Sequence, residues 1–172
     1  MSTRGYLGLK KNGELKGMYN HFDSYPSGLG VYIIETLNEI DSGARINVLN
    51  ETYDFIQLVD EDSKPTKEQI KICKDSGVAN FVVSTKSEDD WYCLLRETQG
   101  NLKLYIDKVI PYMLNGSDFI SDTLFCEWYY IINLDTKKLE VWENDWEAKK
   151  GVKRVELSLT NDELDSSYLL DL

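Results

Sequence analysis

"LFCEWYYIINLDTKKLEVWEN", residues 124–144, decides the fold class. Both arms are rich in aromatic and β-branched side chains, which fit a pleated, half-buried surface. Between them Leu134-Asp135-Thr136-Lys137-Lys138 reads as a turn of the Asp-Thr kind. The stretch is therefore an antiparallel hairpin. Alternation along its first arm sends half the large side chains to each face. The core is the default place for Trp91, Tyr92, Trp128, Tyr129, Tyr130, Trp142 and Trp146, with a pocket or partner contact as the second use of some of them.

A second hairpin stands at the other end of the chain. In "RGYLGLKKNGELKGMYN" (residues 4–20) Asn12-Gly13 is the two-residue turn in which both residues take φ > 0. Gly5, Gly8 and Gly17 weaken its strands and mark close approach by a neighbouring backbone or a ligand. Helical patterns fill the middle. Residues 29–43 place Val31, Ile33, Ile34, Leu37 and Ile40 at helical spacing, with Gly43 as the stop. Residues 44–62 read as a second helix closing in a short extended piece. Residues 63–77 form a third, with Thr66 or Ser63 as cap, Pro65 at its start and Gly77 at its end. Asn80 to Lys86 is β-like, and residues 87–100 are helical with an acidic first turn. Tyr105 to Met113 is expected to be helical around Pro111. "VKRVELSLT" (residues 152–160) is the last strand. The expected architecture is α+β: one domain over residues 1–160, with an N-terminal β-hairpin, several helices and a C-terminal antiparallel hairpin or sheet. An acidic tail, 161–172, is expected to be loosely held.

Composition limits the chemistry. The 42% hydrophobic content of this 172-residue chain excludes intrinsic disorder and suffices for a real core. No apolar run reaches membrane-spanning length, and the charged N-terminus lacks the apolar block of a signal peptide. Three widely spaced cysteines, Cys73, Cys93 and Cys126, match no zinc spacing and point to a reduced, cytoplasmic chain. No cofactor or metal is expected: with one histidine, only carboxylates could bind a cation. The net charge is −11, and all of it falls in residues 51–172. Acidity argues against direct nucleic-acid binding. Arg4, Lys10, Lys11 and Lys16, against Glu14 alone, give the first 22 residues a local +3.

That basic patch precedes "YNHFDSYPSGLG", residues 19–30, the richest chemical stretch in the chain. Ser27, Gly28 and Gly30 open a helix, where free amide groups and the helix dipole favour phosphate or carboxylate. Arg4 adds a fork suited to phosphate oxygens. His21, Asp23, Ser24 and Tyr25 form the rim of this expected anion cradle. A triad reading is weak, because nucleophile, base and orienter usually converge from separate segments. His21 with Asp23 remains an acid–base candidate. Ser2, exposed if Met1 is removed, is a candidate N-terminal nucleophile. A third reading takes the acidic surface, with Asp60, Glu61 and Asp62 and with Glu88, Asp89 and Asp90, as a mimic of nucleic acid that inhibits a host enzyme.

The Thr-Arg-Gly start, the "YNHFDSYPSGLG" loop and the late "YIINLD" hairpin together resemble a family of small bacterial and phage proteins. The resemblance covers about the first 30 residues and about 20 late ones. It implies a phage or mobile-element setting and brings no activity with it. The leading expectation is a cytoplasmic protein that holds an anionic small molecule, such as a nucleotide signal, and so sequesters or inhibits a host factor. The expected partners are that molecule or a host protein, with oligomerisation left open. The alternatives are a small hydrolase and the acidic inhibitor.

Overall fold

Every residue of β5 (Trp128–Asn133) is buried, so the strand needs a neighbour on each edge and cover on each face. The computed structural model, which describes residues 3–83 and 88–172, supplies all four. On one edge the chain returns through β6 (Lys138–Asp145) and β7 (Lys150–Ser158). On the other edge docks the N-terminal hairpin of β1 (Gly5–Lys11) and β2 (Glu14–Asn20). The sheet runs β2-β1-β5-β6-β7. Its pairs are antiparallel except β1 with β5, which run parallel with Gly5 beside Trp128 and Lys10 beside Asn133. The α+β architecture read from the sequence is present, with both hairpins in one mixed sheet.

The first hairpin turns as its sequence demands: Asn12 has φ 54° and Gly13 φ 77°. Asp135 does not close its own turn. Its carboxylate accepts the amides of Asn12 (2.7 Å) and Gly13 (2.9 Å), tying the tips of the two hairpins together. These bonds, Gly13's foremost, hold the Asp135 carboxyl below its ordinary pKa. The Asp135 turn is closed instead by Asn133, whose side-chain oxygen accepts the amides of Asp135 and Thr136. Gly8 and Gly17 face each other across β1 and β2. A Cβ on Gly17 would lie 2.1 Å from the Tyr6 hydroxyl, and one on Gly8 2.7 Å from its ring. The close approach marked by these glycines is the ring of Tyr6, which is fully buried over them.

Alternation divides the core between the two faces. Leu7, Leu9, Tyr130, Ile132 and Val141 join Ile33, Leu37, Leu49 and Leu102 in the main cluster. These come from α1 (Val31–Asn38), α2 (Ser42–Phe55) and α5 (Leu102–Ile106). Tyr6, Cys126, Tyr129 and Ile131 form a second cluster on the opposite face, under Phe119, Ile120 and Trp142. Trp142 stacks on Tyr129 with ring centroids 5.6 Å apart.

Some element boundaries depart from expectation. Asp41 caps α2 by accepting the Gly43 amide at 3.0 Å, so Gly43 opens a helix rather than ending one. Thr66 caps α3 (Lys67–Asp75) through a reciprocal capping box with Gln69, and Pro65 sits ahead of the cap. Residues 80–83 form no strand, with bends at 81–83, and the rest of that expected strand lies outside the described residues. After α4 (Trp91–Leu94) the chain makes only a 3₁₀ turn, Arg96–Thr98. No helix surrounds Pro111. Lys108 takes φ 56°, which breaks the helix, and Tyr112–Leu114 is β4, parallel to β3 (Gln57–Val59). Pro111 serves this pairing as an acceptor, its carbonyl taking the Gln57 amide at 2.8 Å. Among the described residues no helix is long and apolar enough to cross a membrane.

Residues 161–172, expected to be loosely held, include α6 (Ser167–Leu170) and contribute Leu164 and Leu169 to the core. Arg45 of α2 is fully buried. Its guanidinium donates to the carbonyls of Leu37 and Ile40 and to those of Leu159, Asn161 and Asp162. Five acceptors on one cation satisfy its burial and fasten the end of the chain to the helices. Arg45→Met keeps the stem but orphans these carbonyls, and is expected to cost about 3 kcal/mol in denaturant unfolding. Amide exchange across 159–170 should accelerate more than that of β5.

Asp135 gives a test with a sign. A carboxyl whose folded pKa is lowered stabilises the fold above its unfolded pKa, and the contribution fades as pH falls through the folded value. Asp135→Asn is therefore expected to lower Tm at pH 7, with the gap to wild type closing below the ordinary carboxylate range.

Candidate functional site

The loop after β2 is held by its own backbone. Ser24 is fully buried. Its amide donates to the Thr3 carbonyl at 3.1 Å, its hydroxyl accepts from Asn20 at 2.8 Å, and its carbonyl accepts from the Tyr130 hydroxyl at 2.8 Å. Pro26–Gly30 forms a wide helical turn that runs straight into α1. Within it the Gly28 amide donates to Tyr25 and the Leu29 amide to Asp23, both at 2.9 Å. A Cβ on Gly28 would meet the Asp23 carbonyl at 2.5 Å, and one on Gly30 would meet Leu169 at 2.9 Å. The expected cradle at Ser27, Gly28 and Gly30 is thus filled by the chain itself. Ser27 is exposed and caps nothing, since the position ahead of α1 is Gly30 with no side-chain cap. Asp23, with φ 49°, accepts from the Tyr25 hydroxyl at 3.3 Å, and both face outward. Asp23 is therefore not the partner of His21, and Ser2 lies outside the described residues.

Arg4 and His21 do meet. In the β1–β2 register Gly5 stands opposite Asn20, so the next pair outward is Arg4 and His21. The Arg4 carbonyl also accepts the Glu127 amide at 3.0 Å, extending the β1–β5 ladder and fixing the backbone at the sheet's end. Lys10, Lys11 and Lys16 lie at the opposite end of these strands, roughly 20 Å away at the usual strand rise. Lys11 pairs with Asp54 at 2.8 Å, and Lys16 donates to the carbonyls of Tyr53 and Ile56 at the end of α2. The basic patch expected around the loop is therefore split, with Arg4 alone at the loop.

Two cavities open on Arg4 and His21. One, of about 590 Å³, has Tyr19, Tyr92 and Phe119 as its aromatic wall and Gln99, Asn115 and Glu61 among its polar groups. The other, of about 690 Å³, has Phe125, Trp128 and Trp146 as its aromatic wall. The segment 122–126 separates them. Asp122 lines the first cavity, and its carboxylate accepts the amides of Leu124 (3.3 Å) and Phe125 (3.1 Å), whose side chains line the second. The Arg4 guanidinium sits 5.1 Å from the centre of the Phe125 ring.

The electrostatics favour a neutral imidazole. His21 Nδ1 faces the Tyr19 hydroxyl within hydrogen-bond distance. Burial, then the charges of Arg96 and Arg4, press the His21 pKa below its ordinary value. Burial raises that of Tyr19, so its hydroxyl keeps its proton. Arg96 is held over the rings of Phe22 and Tyr92. Cys73 and Cys126 are buried, with thiols pushed up to about 11 and about 12, and are inert as nucleophiles. Among the described residues no group of three His, Cys, Asp or Glu side chains converges as a metal site. In the acidic run, Glu88 pairs with Lys74, Asp89 with Lys64, and Asp90 caps α4.

Sequence reasoning had marked Arg4 and His21, and had counted Tyr92 and Trp146 among the rings that could line a pocket, but missed Tyr19 as a partner of the histidine and Phe119 as a wall. The hairpin turn already implied the pairing of Arg4 with His21; the walls come from distant segments with no local signature. No protein-family model, curated protein or solved structure matches the chain. In an NMR titration His21 is expected to titrate below the usual histidine range. Arg96→Gln should move it part of the way back, because burial is the larger cause.

Proposed function

We propose that the protein binds an anionic small molecule of the nucleotide class at the end of the sheet where Arg4 and His21 stand together. The observation that carries this reading is their side-by-side placement, fixed by strand register, at the junction of two aromatic-walled cavities. A guanidinium offers phosphate a planar fork of donors, and His21 lines the same two cavities beside it. Aromatic side chains such as Tyr19, Tyr92 and Phe119 suit the face of a nucleobase. Gln99, Asn115 and Glu61 add polar groups to the same wall, with Gln99 Oε1 accepting from Arg96 and Asn115 Oδ1 accepting the Ser117 amide. Carboxylates in the wall disfavour bare phosphate and select a ligand that also carries donors. The net charge of −11 is no obstacle at this range, since exposed charges beyond about 8–10 Å are screened at ordinary ionic strength. In the phage or mobile-element setting implied by the resemblance, such capture withdraws a nucleotide signal from a host receptor.

Calorimetry with purine and pyrimidine nucleotides, against inorganic phosphate, tests the reading. A nucleotide should bind and phosphate alone should not. Arg4→Ala is expected to weaken binding by about 10- to 100-fold, the scale of one charged hydrogen-bonding group. A bound anion raises the depressed His21 pKa, so binding takes up a proton and tightens as pH falls from 7 toward 5.5. Absence of binding by every nucleotide would overturn the proposal.

A further inference from the structure

The two cavities raise a question that a mononucleotide does not answer. Each falls in the size range of a small-molecule site, each has its own aromatic wall, and among the described residues they share only Arg4 and His21. A single nucleotide with its phosphate on Arg4 would fill one and leave the other empty.

The second cavity has features that folding does not require. Leu124, Phe125 and Trp146 are 64%, 48% and 63% exposed, and all three line it. Large apolar side chains gathered at one exposed place mark a binding surface rather than a core. The wall behind them is firmly built. The Asn144 side chain donates to the carbonyls of Ile120 (3.1 Å) and Cys126 (2.7 Å), and the Asn144 amide donates to the Glu127 carbonyl at 2.9 Å. These bonds pin the end of β6 to the segment 122–126. The same segment carries Asp122 toward the first cavity. One rigid turn thus shapes both chambers, with the guanidinium of Arg4 against its Phe125 ring.

From this arrangement we propose that the two cavities form one bipartite site for a dinucleotide, one base in each chamber and the bridging phosphate on Arg4 and His21. The inference deepens the nucleotide reading and rests on it. Arg4 and His21 lie at the divide, where a dinucleotide is anionic, while Glu61, Asp118 and Asp122 line the first chamber and Glu127 and Glu143 the second, acceptors for the N–H groups of bases. The aromatic groups lie to either side, where its bases are.

Calorimetry with AMP, GMP and the linear and cyclic dinucleotides of adenylate and guanylate tests the inference. A dinucleotide should bind one per chain, at least tenfold more tightly than the matching mononucleotide. Trp146 is exposed, so Trp146→Ala should leave Tm unchanged. That variant is expected to reduce dinucleotide affinity to the mononucleotide level. Trp146→Phe should retain most of the dinucleotide affinity. Equal affinity for the two ligand sizes, or an equal loss for both in Trp146→Ala, would overturn the bipartite site and leave the single-nucleotide reading standing. Failure of all these ligands to bind would overturn both.

Discussion

The parallel pairing of β1 with β5 is the constraint from which the rest of the molecule follows. A strand buried on both faces cannot leave an edge unpaired, because its amides and carbonyls would lose water without gaining partners. β6 closes one edge through a short turn, and the other recruits a hairpin from the far end of the chain. The intervening helices must then cross one face, while the segment around Phe119 to Cys126 covers the other. Where the shared ladder stops, Arg4 and His21 emerge side by side.

Much of this was legible locally and some was not. Asn12-Gly13 specifies a two-residue turn and therefore a register, and Arg4 opposite His21 follows by counting outward. Alternation in the first arm of the second hairpin sorts its rings correctly between two cores. The parallel contact between the hairpins has no such local sign, because strand direction depends on the path of everything between. Gly43 was misread because glycine both ends helices and tolerates their first turn; the Asp41 cap two residues earlier decides between these roles. Around Pro111 the apolar spacing suited a helix, but Lys108 in the left-handed region and the three-residue pairing with Gln57–Val59 prevail. Within the loop at residues 19–30 the two halves have different surroundings. Its glycines serve packing against Asp23 and Leu169, while its histidine faces the cavities.

Charge is also distributed differently from what composition implies. Many of the carboxylates that make the chain acidic have structural work: Asp135 joins hairpin tips, Asp41 and Asp90 cap helices, and Asp122 closes the turn between the cavities. The cations are divided in the same way. Arg45 fastens the C-terminal segment, Lys16 terminates α2, and Arg4 is left at the mouth of the site. Net charge describes the solvent's view of the molecule, whereas the site responds to its few nearest donors.

The packing of Tyr6 over Gly8 and Gly17 carries an evolutionary consequence. Ring size at one position and the absence of a side chain at the other two are a single volume, shared between adjacent strands. No one of the three can change alone without overfilling the space or emptying it. Diverging copies of this fold should therefore treat positions 6, 8 and 17 as one inherited unit, replaced together or kept together. That linkage would identify a distant relative even where the loop and the cavities have been remade.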